Sequence, residues 1–222
     1  MDEACDDFHS ASSQPLPEFV SDIWDAEFLR TFEGPTKDVL FVTRGKEGRY
    51  LSIFNYDLFN MEGMHVHGAT TSCGLLSMVC LNLPPEICYK AENMYVAGII
   101  PGPHSPKETQ LNHYLWPLIN DMEVSWHKGV KYLQMASHPE GRVTCSAIAI
   151  AAMDLPAAYA ASQLAHATAH IYCTVCTSWD WQTLGRVDHN NWTLCDDNIV
   201  KEHVTTQLCE VEVCELKPKY LG

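Results

Sequence analysis

The chain has 222 residues, 46% of them apolar and 19% charged, a globular composition with enough length for one domain and a sizeable core. Its net charge of −14 sets it apart from proteins that grip nucleic acid by bulk electrostatics. The acidic opening MDEACDDFHS has no apolar core of a secretory signal, and no run of about 18 apolar residues follows, so no membrane contact is expected and a reducing compartment, nuclear or cytoplasmic, is.

Residues 1–20 read as a flexible acidic lead-in; residues 1–38 hold ten acids and two bases, net −8. The spacing of Ile23, Trp24, Phe28 and Phe32 predicts a helix over Val20 to Phe32, capped by Ser21 and ended at Gly34-Pro35. Val39 to Thr43 is a short apolar strand. Arg49 to Tyr56 is the next, and it delivers Asp57 to the loop Leu58 to Gly68. Ala69 to Leu83 is extended and stopped by Pro84-Pro85. Met94 to Ile100 is a strand stopped by Pro101-Gly102-Pro103. Pro106 to Trp126 is helical, with Leu111, Tyr114, Leu115, Leu118, Ile119, Met122 and Trp126 at helical spacing and a kink expected at Pro117. Trp116, Tyr114 and Trp126 are expected to fill core. Gly129 to Met135 is a short strand or loop. The strand Arg142 to Met153 runs into Asp154, and Ala157 to His170 is an Ala-rich helix leading to Cys173-Thr174-Val175-Cys176. Beyond Cys176 the pattern decays into a less ordered tail.

Setting aside the opening helix, the order is strand, strand, strand, helix, strand, helix. That is an α/β class with a mixed sheet, in the order of an incomplete ribonuclease-H-like fold. In that fold the first strand is central and lies parallel to the fourth. The expected organisation is a flexible head at 1–20, a partial core at 21–172, and a Cys-containing insertion with a divergent tail at 173–222.

Two constellations could carry chemistry. Asp57 and Asp154 each follow an apolar strand. If those strands are neighbours, the two carboxylates supply hard oxygen ligands for Mg²⁺ or Mn²⁺, as two-metal phosphoryl transfer requires. The same positions suit a turn or helix N-cap. Cys173 and Cys176 have the spacing of a tetrahedral Zn²⁺ pair, and His166 and His170, four apart on one helix face, are further possible ligands. Buried thiols and surface imidazoles fit the same pattern, and His189, Cys195 and His203 are alternative partners for the cysteines. His65 and His67 read as solvated loop residues. No glycine-rich phosphate cradle and no G-x-S-x-G elbow is present.

The blocks LPEFVSDIWD, GRYLSIFNYDLFNMEGM, CLNLPPEICYKAENMYVAGIIPGPHSP, LNHYLWPLINDM and MDLPAAYAASQLAHATAHIYCTVC, in this order, resemble the transposase of CACTA-type DNA transposons, in its fungal, basidiomycete-type branch. The likeness covers roughly residues 16–195. It implies a ribonuclease-H-like DD(E/D) transposase in which Asp57 and Asp154 are the first two catalytic carboxylates and Cys173 and Cys176 belong to a zinc-type insertion. It implies DNA as a partner, weakly held or lost here, and self-association or association with a full-length transposase. Leu58, Met61 and Tyr159 depart from the family's pattern of an aromatic, a proline and a basic residue at those places. The third acid of the family falls beyond Gly222. The expectation is therefore a truncated, transposon-derived protein, inactive alone; the alternative is a domesticated, non-catalytic zinc module that binds DNA or protein.

Overall fold

The computed structural model describes residues 15, 17–19, 21–43, 45–60, 72–106 and 108–162. Five strands occur among them: β1 Gly48–Asn60, β2 Ser72–Cys80, β3 Met94–Ile100, β4 Val130–Tyr132 and β5 Arg142–Ala151. Four α-helices accompany them: α1 Glu27–Arg30, α2 Pro85–Cys88, α3 Glu108–His127 and α4 Leu155–Ser162. The chain divides into two compact units, Met1–Met153 and Asp154–Gly222. All five strands lie in the first.

β1 carries apolar side chains at both odd and even positions as far as Tyr56, the pattern of a strand covered on both faces. It takes the centre of the sheet, whose order is β3-β2-β1-β5-β4. β2 pairs antiparallel with β1, and β3 antiparallel with β2. β5 pairs parallel with β1, from Gly48↔Thr144 to Phe54↔Ala151. A parallel neighbour needs a long crossover; the chain between β1 and β5 uses that length for β2, β3 and α3. The short β4 closes the far edge, antiparallel to β5. The fold is thus α/β around a mixed five-stranded sheet.

Leu51, Leu81, Cys145 and Ala147 meet Trp24, Leu29 and Phe41 in one buried cluster, with Trp126 of α3 packed against it. Phe41 stacks on Trp126 with ring centroids 5.1 Å apart, and the Arg49 guanidinium lies 5.1 Å from the Phe41 centroid. Where β2 ends, Asn82 takes over as a strand partner. Its side-chain carbonyl accepts from the Leu51 N–H at 2.8 Å and its amide donates to the Arg49 carbonyl at 3.0 Å. The Ser125 hydroxyl accepts from the Ser146 N–H at 3.0 Å, which fastens α3 to β5.

Four expectations change. The helix predicted over Val20 to Phe32 is a 3₁₀ turn, Ile23–Asp25, followed by the single turn α1. Asp22, not Ser21, is the N-cap, and Ala26 is extended (φ −73°, ψ 132°), which breaks the helix between the two pieces. Ile23 and Phe28 are therefore exposed while Trp24 and Leu29 are buried. Val39 to Thr43 is a turn with one bridge, Glu33↔Leu40; the Phe41 N–H donates to the Phe32 carbonyl and places the Phe41 ring in the core. Trp116 of α3 is 66% exposed rather than core. Tyr114 is likewise exposed, and Trp126 is the member of the aromatic set that packs inward. Finally, β1 does not stop at Tyr56 but continues to Asn60, so Asp57 lies inside the strand.

Candidate functional site: the open sheet face at Asp57

The β1–β2 pairing is unbroken from Ser52↔Cys80 to Asn60↔Ser72, so side chains alternate strictly along this stretch. Asn55, Asp57 and Phe59 share one face; Tyr56, Leu58 and Asn60 share the other. The rows continue across the sheet: Asp57 lies opposite Leu75, which lies opposite Ile99, and Asn55 lies opposite Ser77, which lies opposite Val96.

Beyond Tyr56 both faces of β1 become exposed, Leu58 and Asn60 as well as Asp57 and Phe59, and the contrast lies in the residues that flank them. On the Tyr56 side, Tyr56, Leu76 and Ile100 are all fully buried. Gly74 permits this packing: a Cβ there would stand 3.0 Å from the Ile100 Cβ and 3.2 Å from the Leu58 Cδ2. On the Asp57 side, Asp57 is exposed and Phe59, Val96 and Ile99 are 44%, 52% and 64% exposed, while Leu75 opposite Asp57 is half-buried and Ser77 in the Asn55 row is buried. A carboxylate on the buried side would have to be desolvated; on the open side it stays hydrated. Asp57 therefore caps no turn. It is held mid-strand, on a rigid element, facing solvent.

Asp154 begins the second unit, three residues beyond the end of β5. Its Oδ1 accepts from the Ala157 N–H at 2.8 Å, and its backbone carbonyl accepts from the Ala158 N–H at 2.8 Å. It is the N-cap of α4, and it is exposed. The cap explains why the helix starts at Leu155-Pro156, where proline needs no donor. Capping occupies one oxygen with a backbone N–H and orients the carboxylate group.

Both side chains offer hard oxygen donors, which fit Mg²⁺ or Mn²⁺ better than a soft metal. Among the described residues no group of three or more His, Cys, Asp or Glu forms a metal cluster. His65, His67, His166, His170, Cys173, Cys176, His189, Cys195 and His203 lie outside the described residues. Of the described thiols, Cys73 and Cys80 are half-buried and Cys88 and Cys145 are buried. Burial pushes the Cys88 and Cys145 thiols up from their ordinary range; beside Cys145, Arg49 opposes that rise and Glu47 adds to it. These two are packing groups rather than nucleophiles. Asn55 and Phe59, the companions of Asp57 on the open face, were not singled out from the sequence. The period-two run Asn55-x-Asp57-x-Phe59 was the signal available for them.

Against known proteins, no curated protein matches the chain. A family model, transposase family tnp2, matches residues 58–194. That span is 137 of the 222 residues. It contains Asp154 and both cysteines of the C-x-x-C pair, and it begins one residue after Asp57. More than half of the sequence thus follows one family's pattern, through β2, β3, α3, β5 and α4: the chain belongs to the tnp2 family of transposases.

Proposed function

We propose that this transposon-derived chain carries part of a ribonuclease-H-like DD(E/D) catalytic domain of the CACTA type, in its basidiomycete-type branch, with Asp57 and Asp154 as metal-binding carboxylates. The observation that carries the reading is Asp57 itself, held mid-strand on an open face of the central strand. The strand arrangement supports it too, since β1 lies parallel to β5 and the Ala152 N–H donates to the Phe54 carbonyl at 2.9 Å just past the ladder's end. DNA is the proposed substrate, and a second copy or a full-length transposase the proposed protein partner.

In this reading each residue has a separate task. β1 holds the Asp57 carboxylate on a paired strand, which limits its movement. The Ala157 N–H holds one oxygen of Asp154 and fixes that carboxylate's orientation. A bound Mg²⁺ or Mn²⁺ would supply an activated oxygen nucleophile and stabilisation of the leaving oxygen. Two acids hold such an ion weakly, and strand cleavage by this chain alone is not expected.

Manganese titration followed by electron paramagnetic resonance tests the site. The intact chain should bind Mn²⁺ weakly, and Asp57→Asn should abolish that binding. Asp154→Asn should also reduce it while keeping the helix cap, because asparagine caps as well as aspartate does. Mn²⁺ binding unchanged in both variants would sink the metal assignment. Metal-dependent nicking of plasmid DNA by the purified chain would overturn the expected inactivity.

A further inference from the structure

The open face beside Asp57 has a second property besides its acid. Beside the polar Asn55, Ser77 and Asp57 it carries the apolar Phe59, Leu75, Val96 and Ile99, and the described residues of its rows include no lysine or arginine. Phe59 follows Asp57 by two residues, about 6.7 Å along the same face. Ile99 stands in the Asp57 row and Val96 in the Asn55 row, both more than half exposed. Asn55, half-buried, precedes Asp57 by two residues on the same face. The described surface therefore presents, in line, an amide, a carboxylate and an aromatic ring, bordered by two exposed aliphatic side chains.

Such a surface is badly matched to duplex DNA. Duplex and single strand both carry phosphates that Lys or Arg would neutralise, so what separates them here is access to the bases. The bases of a duplex are stacked inside and cannot reach an aromatic ring. An unpaired nucleotide is different, since its base has an exposed face that stacks on aromatic side chains whatever its identity. Phe59, two residues from Asp57 on the same face, lies within reach of a base close to a phosphate held at Asp57.

We propose that Phe59 is a stacking residue for unpaired nucleotides next to the scissile phosphate, with Val96 and Ile99 extending the apolar floor and Asn55 contributing a hydrogen bond to the same strand. The substrate that fits this face is a locally melted or single-stranded DNA segment, not an intact duplex. The inference rests on the assignment of Asp57 as a metal-binding carboxylate, and its test keeps the two apart.

The experiment measures fluorescence anisotropy of a labelled single-stranded oligonucleotide and of the same sequence as a blunt duplex, with the full chain, in the presence and absence of Mn²⁺. The wild type should prefer the single strand. Phe59→Ala should weaken single-strand binding by about 5- to 150-fold and leave the weak duplex binding unchanged. Phe59→Trp should restore the single-strand affinity. Phe59 is exposed, so the thermal unfolding of Phe59→Ala should match the wild type, which separates lost stacking from lost folding. Asp57→Asn should remove the Mn²⁺ enhancement, and adding Phe59→Ala to it should still weaken metal-free single-strand binding. Loss of that enhancement with no effect of Phe59→Ala overturns the stacking role alone. A Phe59→Ala effect with an intact Mn²⁺ response in Asp57→Asn overturns the metal assignment and leaves stacking standing. Equal binding of the two DNA forms, or no single-strand binding at all, overturns the proposal.

Discussion

The two halves of β1 do different things. From Gly48 to Tyr56 the strand is woven into its surroundings: Leu51 is sealed in the cluster around Phe41 and Trp24, β5 runs alongside, and Asn82 completes the backbone pairing where β2 stops. From Asp57 to Asn60 the strand still pairs with β2, yet all four residues are exposed. The first half builds stability through burial, and the second half adds little by that route. The two charged residues of the strand are kept in different ways: Arg49, in the packed half, lies against Glu47 and the Phe41 ring, while Asp57, in the open half, is exposed on a backbone held by the β1–β2 ladder.

The contrast predicts a gradient of mutational effects. Leu51→Ala, in the packed half, should destabilise the chain most, by about 2–5 kcal/mol, read from urea unfolding. An effect no larger than at an exposed site would show that the cluster is loosely packed. Asn82→Ala should follow at about 1–3 kcal/mol, because it strands a buried N–H at Leu51 and a carbonyl at Arg49. Asp154→Ala should cost about 0.5–2 kcal/mol of α4 stability, and Asp154→Asn much less; circular dichroism of the two variants separates the cap from the charge. Asp57→Asn, in the open half, should change stability by under about 0.5 kcal/mol. A large loss there would mean that the face is covered in solution and would erase the contrast.

Acid provides a finer test at the turn that brings Trp24 into the cluster around Leu51. Hydrogen bonds from the Ser21 and Asp22 backbone N–H groups, and to a lesser degree the Ser21 hydroxyl and the Arg30 charge, hold the Asp25 carboxyl below its ordinary range against an opposing effect of desolvation. A carboxyl lowered on folding contributes stability that is present above its unfolded value, about 3.9, and is lost as pH falls through the folded value. Asp25→Asn should therefore flatten the acid limb of the unfolding curve and leave the neutral limb's slope unchanged.

Local periodicity alone was enough to locate several elements. Met94 to Ile100 is β3 with the same bounds, because proline closes it on one side and an apolar run fills it. α3 and β5 are also close to their expected limits, as long segments of one pattern are. Val39 to Thr43 shows the opposite case. An apolar run ending in threonine read as a strand, but the Phe41 N–H found the Phe32 carbonyl and the ring found Trp126, so a turn formed instead. At Asp22 to Asp25 two carboxylates capped the backbone against a continuous helix, an interaction that apolar spacing does not register.

The sequence by itself determined which segments are apolar, where proline and glycine interrupt them, and which acids follow the strands. It also carried the family, since that depends on residue order alone. Only the tertiary structure decided that β1 runs on through Asp57, and that Asp57 stands exposed while Tyr56, Leu76 and Ile100 on the other face are buried. The reason is physical: alternation along a strand defines two faces, but what covers each face comes from segments far away in the chain, and only their packing distinguishes core from surface.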